Sequence, residues 1–528
     1  MERKTFLLCF FLEIMVVAGA AGRLANAAAA EAEVRGIVVD AAGSVAGAHV
    51  RVRATENVVL SGGDGRFTLS GLEEGAEIEV AAWADGYYIA SELVTPPADG
   101  LTLTLRPYHT RDYAVYAWAD PQEGDSACGN CHPSIISQWS ANAHGQAVDN
   151  GRFFSLYNGT TVSGETMTGP GFANDFPGEA GNCAACHAPG AAVDAPLSTD
   201  MNAVRGQATA GIHCDFCHKV GGVDLDEQSG SVFDDKPGVL SLQMLRPPEG
   251  DDIFFGPFDD VHDPDTYLPL ISESAYCAAC HQFSFHSTPV YESYNEWLAS
   301  PYAAIGVTCQ DCHMPPTGES YFALAEVGSM ARDPDSIPSH LQIGAGRDEF
   351  GDYAGLSLIT TQQGQRLLVT VNVHNLGAGH HYPTDYPGRH LLLTVDAVDE
   401  AGRPLALERG PQIPEWGGDL AGHTGTAYAK ILADAQTGLA PVVSYWKPTT
   451  IVSDNRIPAL SMARTTYAFT LPSGSGEIEV TADLIYRFQF AALMAQKEWD
   501  RPDIISTTLS RSVFYAPEWV VFMPVVSW

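Results

Sequence analysis

The sequence predicts a multidomain protein in which a central, mainly α-helical and irregular domain lies between an N-terminal β-sandwich and a C-terminal β-sandwich. Three observations predict this order. Residues 33–107 alternate apolar and polar side chains between glycine-rich turns, residues 108–351 contain ten of the eleven cysteines, and residues 352–528 have strand-like stretches without cysteine. Ahead of these domains, residues 1–27 have the composition of an export signal.

The leader begins with a basic pair, Arg3 and Lys4, before an apolar run at residues 5–20. Residues 25–27 read Ala-Asn-Ala and match an A-x-A cleavage site. The pattern predicts a signal peptide and therefore a periplasmic, extracellular or cell-surface protein. The alternative is a retained membrane anchor, against which stand the short run and Glu13, whose charge is costly in a bilayer.

The chain is strongly acidic, with 64 Asp and Glu against 28 Lys and Arg and a net charge of -36. Such a charge argues against binding to nucleic acid or to anionic lipid. Beyond the leader, no apolar stretch is long enough to cross a bilayer, so we expect a protein that is not integral to the membrane.

In the N-terminal segment, strand-like alternation recurs five times, and it predicts a small β-sandwich. The candidate strands are residues 34–39, 48–53, 66–69, 77–82 and 101–105. Four short motifs accompany them: Gly36-x-Val38-x-Asp40, Ala48-x-Val50, Asp64-Gly65-Arg66-Phe67 and Gly86-Tyr87. Together they resemble the carboxypeptidase regulatory-like domain, and this resemblance implies an accessory module rather than a catalyst.

Five Cys-x-x-Cys-His motifs dominate the central segment. Their cysteines are Cys128, Cys131, Cys183, Cys186, Cys214, Cys217, Cys277, Cys280, Cys309 and Cys312, and their histidines are His132, His187, His218, His281 and His313. On a helical turn, two such thiols can form thioethers with the haem vinyl groups while the next imidazole reaches the iron. The sequence therefore predicts five covalently bound haem c groups. No cysteine is left for disulfides except Cys9 in the leader.

The central segment shows an internal duplication. His218 follows His187 by 31 residues, and His313 follows His281 by 32. A second repeated spacing is found in Trp139-x4-His144 and Trp297-x4-Tyr302. These repeats indicate haem pairs preceded by one leading haem.

At these residues the segment resembles the multihaem cytochromes related to hydroxylamine oxidoreductase and pentahaem nitrite reductase. The resemblance rests on Trp139-x4-His144, on residues 211–218 (Gly-Ile-His-Cys-Asp-Phe-Cys-His), on Glu296-Trp297 and on Cys312-His313-Met314-Pro315. It implies haems stacked in a continuous chain, mostly with two axial histidines.

Each iron needs a second axial ligand. Position within the central segment and the family resemblance select four histidines: His144, His213, His262 and His340. Three histidines are candidates for the fifth distal ligand. His286 is equally well a surface residue, whereas His380 or His381 would reach the iron from the C-terminal domain. Of that pair we assign His381.

The C-terminal segment has five candidate strands, which predict a second and larger β-sandwich. They are residues 367–373, 391–398, 466–471, 478–482 and 519–526. The sequence Gly-His-His-Tyr-Pro-Thr at residues 379–384 resembles a stretch in the C-terminal β-domains of some secreted multihaem cytochromes.

The preferred function is electron transfer, with redox partner proteins or an extracellular electron acceptor as partners and a homo-oligomer or conducting filament as a further possibility. Its rival is a reductase or dehydrogenase of a small nitrogen or sulfur compound, which needs one open iron and nearby polar groups. Residues available for that role are Tyr302, His286, Arg332 and Arg347. The chain contains no Cys-x-x-Cys-Lys, the variant that marks the active haem in pentahaem nitrite reductases. An enzyme is therefore the less favoured reading.

Overall fold

A computed structural model describes residues 31–125, 127–262, 264–344 and 353–517. The predicted leader at residues 1–27, the candidate Arg347 and the predicted strand at residues 519–526 lie outside these described residues. Sheets make up both ends of the described chain, and short helices occupy its middle, in the order that the sequence predicts.

Seven strands form the N-terminal domain. They are β1 (Glu31–Val39), β2 (His49–Val52), β3 (Val58–Leu60), β4 (Arg66–Glu73), β5 (Ile78–Trp83), β6 (Ala90–Val94) and β7 (Ala98–Thr104). One sheet has the order β4-β1-β7 and the other the order β3-β2-β5-β6. Their inward side chains, including Val34, Val38 and Val80, share one fully buried core. Strands β3 and β6 were not predicted, because both are sheet edges with weak burial alternation.

The central domain consists of short helices and two-stranded ribbons. Its helices are α1 (Pro133–Ser140), α2 (Gly151–Asn158), α3 (Phe172–Asp175), α4 (Ala184–His187), α5 (Pro189–Ala192), α6 (Cys214–Cys217), α7 (Ala275–His281), α8 (Ser293–Leu298), α9 (Pro301–Ala304) and α10 (Cys309–His313). Its strands are β8 (Val220–Val223), β9 (Leu242–Met244), β10 (Phe254–Gly256), β11 (Asp265–Tyr267), β12 (Phe283–Phe285) and β13 (Thr288–Tyr291). None of the described helices is both long and apolar enough to cross a membrane.

Nine strands and one α-helix form the part of the C-terminal domain that the structure describes, residues 353–517. They are β14 (Ala354–Gln363), β15 (Arg366–Asn375), β16 (His390–Asp399), β17 (Leu407–Arg409), β18 (Gly425–Asp434), β19 (Thr449–Asp454), β20 (Met462–Thr470), β21 (Gly476–Arg487), α11 (Ala491–Lys497) and β22 (Ile504–Tyr515). The sheet orders are β14-β15-β20-β17 and β19-β18-β16-β21-β22, and one apolar cluster lies between the two sheets. Strand β18 escaped prediction because it is buried along nearly its whole length, so its sequence does not alternate.

The C-terminal domain is attached to the central domain by buried charges. Arg456 contacts Glu296 of α8 at 2.7 Å, and Lys430 pairs with Glu292. A buried charge without a partner is costly, so these pairs define one docked arrangement of the two domains.

The N-terminal domain is attached in a similar way. His49 Nδ1 lies 2.8 Å from an Asp259 carboxylate oxygen, and Arg53 donates to the Asp260 carbonyl at 2.9 Å. The Asp260 carboxylate in turn pairs with Arg332 at 2.6 Å. His49, predicted to be an ordinary strand residue, therefore contributes to domain docking.

Candidate functional site: the five Cys-x-x-Cys-His motifs

Each motif lies on a helical turn. The motif histidines of α4, α7 and α10 are the last residues of those helices, and the third motif overlaps α6. Two of these helices begin with a side-chain cap: the His213 Nδ1 atom accepts from the Phe216 N–H at 3.2 Å, and the Thr308 hydroxyl accepts from the Asp311 N–H. The caps fix the first turn, and that turn brings both thiols and the imidazole to one side.

The structure repeats the duplication seen in the sequence. The Trp139 indole donates to the Ile212 carbonyl at 2.9 Å, and the Trp297 indole donates to the Val307 carbonyl at 2.8 Å. Each acceptor lies two residues before the first cysteine of a motif. The two tryptophans therefore hold equivalent motif helices in equivalent ways, which supports a duplicated haem-binding unit.

Sulfur atoms of different motifs lie within hydrogen-bonding reach of one another. The pairs are Cys128 with Cys214, Cys186 with Cys280, and Cys277 with Cys309. Cys217 is a further electrostatic neighbour of Cys280. Neighbouring sulfurs thus connect all five motifs. The first motif lies next to the third, and the fourth motif lies next to the second, the third and the fifth.

The motif histidines are oriented by acceptors at Nδ1. His132 donates to the Phe322 carbonyl at 2.9 Å and His218 donates to the Phe255 carbonyl at 2.6 Å. His313 donates to the Ile343 carbonyl. The second nitrogen, Nε2, is then left for a metal, as in most protein sites where imidazole is a ligand.

His281 differs from these three. Its Nδ1 atom faces the carboxylate of Asp385, a C-terminal-domain residue, at 3.7 Å. For His187 the structure shows a ring contact instead, with Phe153 stacked on it at 4.2 Å between centroids.

Two motif histidines each lie opposite a second histidine, and the distance between the ring centroids is the same in both pairs. The ring centroids of His144 and His281 are 6.2 Å apart, and so are those of His313 and His380. A metal with imidazole on both sides requires about 6.2 Å, from two metal–nitrogen bonds of about 2.0 Å and about 1.1 Å between each nitrogen and its ring centre. Both gaps therefore fit a haem iron with two axial histidines.

The opposing histidines are oriented like the motif histidines. His144 Nδ1 is bonded to the Gln342 side-chain oxygen, and His380 Nδ1 donates to the His381 carbonyl at 2.8 Å. In both pairs the Nδ1 atoms are thereby turned to acceptors and Nε2 is left for the metal. The donor set and its spacing thus match bis-histidine haem binding.

His381, the residue assigned to the fifth iron, and its neighbour His380 have different surroundings. His380 stands opposite His313, whereas His381 Nδ1 lies 3.5 Å from a Glu296 carboxylate oxygen. His286 is bonded through Nε2 to the Trp446 carbonyl at 2.9 Å and is exposed. Of the three candidates for the fifth position, the geometry favours His380.

The other predicted ligands have different surroundings. His340 is a close electrostatic neighbour of His218 and His132, and its backbone N–H donates to the Gln138 side chain at 2.8 Å. His262 is exposed beside Gly328. The roles of both remain predictions.

His213 is fully buried, and its Nε2 atom has no hydrogen-bond partner. That nitrogen faces Gly190, where an added Cβ would lie only 2.6 Å away. The close approach explains why glycine stands at this position beside the second motif. His213 as a ligand also remains a prediction.

Burial sets the protonation of the candidate ligands. Desolvation lowers the pKa of His144, His187 and His340 to about 4 each. At neutral pH these imidazoles are uncharged, which is the form that binds a metal.

Next to His144 lies a cavity of about 1400 Å³, whose lining includes Trp139, Asn142, Gln342 and the cations Arg152 and Arg389. It extends from the central domain to Phe488 and Trp499 of the C-terminal domain. The cavity has room for a bulky planar group together with solvent.

The residues proposed for an enzyme site are engaged elsewhere. Arg332 pairs with Asp260, Tyr302 donates to the Leu376 carbonyl at 3.3 Å, and His286 contacts Trp446. Sequence reasoning missed Asp385 and Gln342, because nothing local in the chain marks either as a partner of a histidine far away in sequence.

Comparison with known proteins finds similarity in sequence and in fold. The family model for cytochrome c554 and c-prime matches residues 127–219, which contain the first three motifs. A penta-haem cytochrome c552 from Thermochromatium tepidum has a similar fold, with a TM-score of 0.53 at 20% identity over 73% of this chain and 97% of that chain. Among curated protein sequences, none matches this chain.

Two further solved structures align less closely. They are the structural-genomics target SoR45, at 11% identity over 33% of this chain and 95% of its own, and a PapD-like domain of human CEP192, at 8% over 34% and 94%. Their TM-scores of 0.14 and 0.15 are too low to support an argument. From the five motifs and the family-model match, with the pentahaem-type fold in agreement, we conclude that this chain is a multihaem cytochrome of the c type.

Proposed function

We propose that this protein is an exported pentahaem cytochrome c that carries electrons along five closely spaced haems. Each haem is attached through the two cysteines of one motif, and the motif histidine is its first axial ligand. When bound, haem c supplies reversible one-electron redox chemistry at iron.

The observation that carries the proposal is the set of sulfur contacts between motifs. Each motif sulfur is an attachment point for a porphyrin edge, so neighbouring sulfurs bring two edges together. Three sulfur contacts and the electrostatic proximity of Cys217 to Cys280 join all five motifs, so the chain would hold its cofactors as one connected set.

The axial ligands support the same function. His144 opposite His281 and His380 opposite His313 close both sides of two irons. We assign His340 to His218, its nearest motif histidine in electrostatic terms, and keep His213 and His262 for the first two motifs. Two axial histidines give a lower potential than histidine with methionine, and nearby carboxylates lower it further.

The location and partners follow from the sequence. A leader at residues 1–27 favours a periplasmic or cell-surface protein, and the net charge of -36 favours cationic partners. The partner is a redox protein or an extracellular electron acceptor, and assembly into a homo-oligomer or filament is compatible with the flanking β-domains.

The rival function, reduction or oxidation of a small nitrogen or sulfur compound, has weaker support. The described residues considered for it, Tyr302, His286 and Arg332, are bonded to other protein groups. Its best location is the second motif, because the ring contact found for His187 is with Phe153 rather than with another histidine.

Covalent haem content and coordination test the proposal together. Intact mass and the pyridine haemochrome assay should give five haems per chain. Electron paramagnetic resonance of the oxidised protein should show low-spin haems that do not respond to nitrite, hydroxylamine or cyanide. Four haems or fewer in mature protein would refute full occupancy, and a high-spin signal that binds these ligands and turns over with reduced viologen would favour the enzyme.

A further inference from the structure

One carboxylate faces a motif histidine. Asp385 Oδ2 lies 3.7 Å from His281 Nδ1, whereas the Nδ1 atoms of His132, His218 and His313 face neutral backbone carbonyls. Within the described parts of the chain, no other motif histidine is paired with a carboxylate at a similar distance.

Asp385 is held in this position by its own hydrogen bonds. Its Oδ1 atom accepts from the backbone N–H groups of Glu292 at 3.1 Å and Ser293 at 3.0 Å. Its Oδ2 atom accepts from the Ser293 hydroxyl at 2.6 Å. These three donors favour the ionised form of the carboxylate.

The backbone at Asp385 is unusual as well. Its φ angle is +58°, in the left-handed region that a non-glycine residue adopts at a cost. Such strain persists only where the surrounding structure enforces it. Here it accompanies a side chain that reaches from the C-terminal domain to a motif histidine of the central domain.

We propose that Asp385 lowers the reduction potential of the fourth haem by placing a buried negative charge beside the Nδ1 atom of His281, 3.7 Å away. The inference rests on the proposed function, since it needs a haem at the fourth motif. A negative charge close to Nδ1 polarises the imidazole more than a neutral carbonyl does and makes it a stronger electron donor to the iron. The oxidised iron carries one more positive charge than the reduced iron, so both the donation and the nearby negative charge favour oxidation.

The position of the fourth motif gives this tuning a consequence. Its sulfurs lie near those of the second, third and fifth motifs, through Cys186, Cys217 and Cys309, so its haem is a branch point. A lower potential there shifts the electron from the branch point toward the neighbouring haems. Asp385 is a positioning residue, because it acts on the iron through His281.

The test is potentiometry of the five-haem protein in three variants. Asp385→Asn keeps the shape of the side chain and removes its charge. We expect the equilibrium constant for reduction of one haem to rise about tenfold, which is about 59 mV for one electron, as expected for the loss of an outer partner of a metal ligand. Asp385→Glu, which restores the charge, should reverse most of this shift.

Ser293→Ala provides an independent change of opposite sign. It removes the hydroxyl that competes for Oδ2, so the carboxylate should bond His281 more strongly and the same haem should become harder to reduce. This variant also keeps the proposal testable if Asp385→Asn fails to fold. Unchanged or easier reduction of that haem in Ser293→Ala would overturn the proposal.

The control is Asp503→Asn, because Asp503 is a C-terminal-domain carboxylate that pairs with Arg487 and no motif histidine. It should leave the equilibrium constant for reduction of each of the five haems within twofold of its value in the parent protein. The affected haem is identified as the low-spin component that His144→Ala converts to high spin. Five haems with unchanged potentials in Asp385→Asn would refute the tuning alone, whereas fewer than five haems in the parent protein would refute the proposed function.

Discussion

Arg456 is one of two buried cations that attach the C-terminal domain to the central domain. Arg456 is only 3% exposed and contacts Glu296 at 2.7 Å, where the Glu296 side chain is 5% exposed. It also pairs with Asp454 and Glu292, which are 27% and 22% exposed and can be solvated. Replacing Arg456 by Ala therefore leaves one buried charge, the Glu296 carboxylate, without its cationic partner.

The expected cost of Arg456→Ala follows from that single stranded charge. Removing one partner of a buried ion pair costs about 3–5 kcal/mol. Glu296 keeps two donors, the His381 N–H at 3.1 Å and the Thr384 hydroxyl, which compensate part of the loss. We therefore expect about 3 kcal/mol, at the lower end of the range.

Urea unfolding followed by far-UV circular dichroism measures this cost, with the slope m compared between variants. The matched control is Arg403→Ala, since Arg403 is 75% exposed and pairs with Asp399 at 2.8 Å. An exposed pair contributes about 0–1 kcal/mol. In the double variant Arg456→Ala/Glu296→Gln no buried charge is stranded, so about 1 kcal/mol or more should be recovered. A loss in Arg456→Ala no larger than in Arg403→Ala would refute the reasoning.

Three further results are expected. His144→Ala should turn one low-spin haem high-spin without loss of covalent haem, whereas His374→Ala, whose side chain bonds Ser357 in the C-terminal sheet, should leave the paramagnetic resonance spectrum unchanged. His380→Ala should act like His144→Ala and His381→Ala should not; the reverse would restore His381 as the ligand. Burial lowers the pKa of Lys497 to about 8 from 10.5. Between these pH values the unfolded chain binds more protons than the folded chain, so the free energy of unfolding rises with pH, by at most about 3 kcal/mol. In urea unfolding, Lys497→Met should remove this rise, and an unchanged pH profile would show that Lys497 is not its source.

Much of this protein could be predicted from the sequence because its main signals are local. A haem attachment motif spans five residues on one helical turn, so its two cysteines and histidine are recognised without any knowledge of the fold. Strands such as β1 and β16 were located by short apolar patterns, which depend only on neighbouring positions. Buried β18 and the edge strand β3 lack such a pattern and were missed.

Partnerships between distant residues required the tertiary structure. His144 meets His281 and His313 meets His380, over separations of 137 and 67 residues. His380 and His381 have the same side chain and adjacent positions, so composition and spacing could not choose between them. The path of the backbone distinguishes the two residues, because it turns the imidazole of His380 toward His313 and that of His381 toward Glu296.

The sequence by itself determined the five Cys-x-x-Cys-His motifs and the prediction that each attaches one haem, because such a motif needs only residues that are close along the chain. Only the tertiary structure decided which side chains oppose those histidines and which groups orient them, as Asp385 does for His281. The physical reason is that axial ligation and its tuning depend on distances of a few ångströms between groups from different domains. Such distances are set by domain docking and have no counterpart in local sequence.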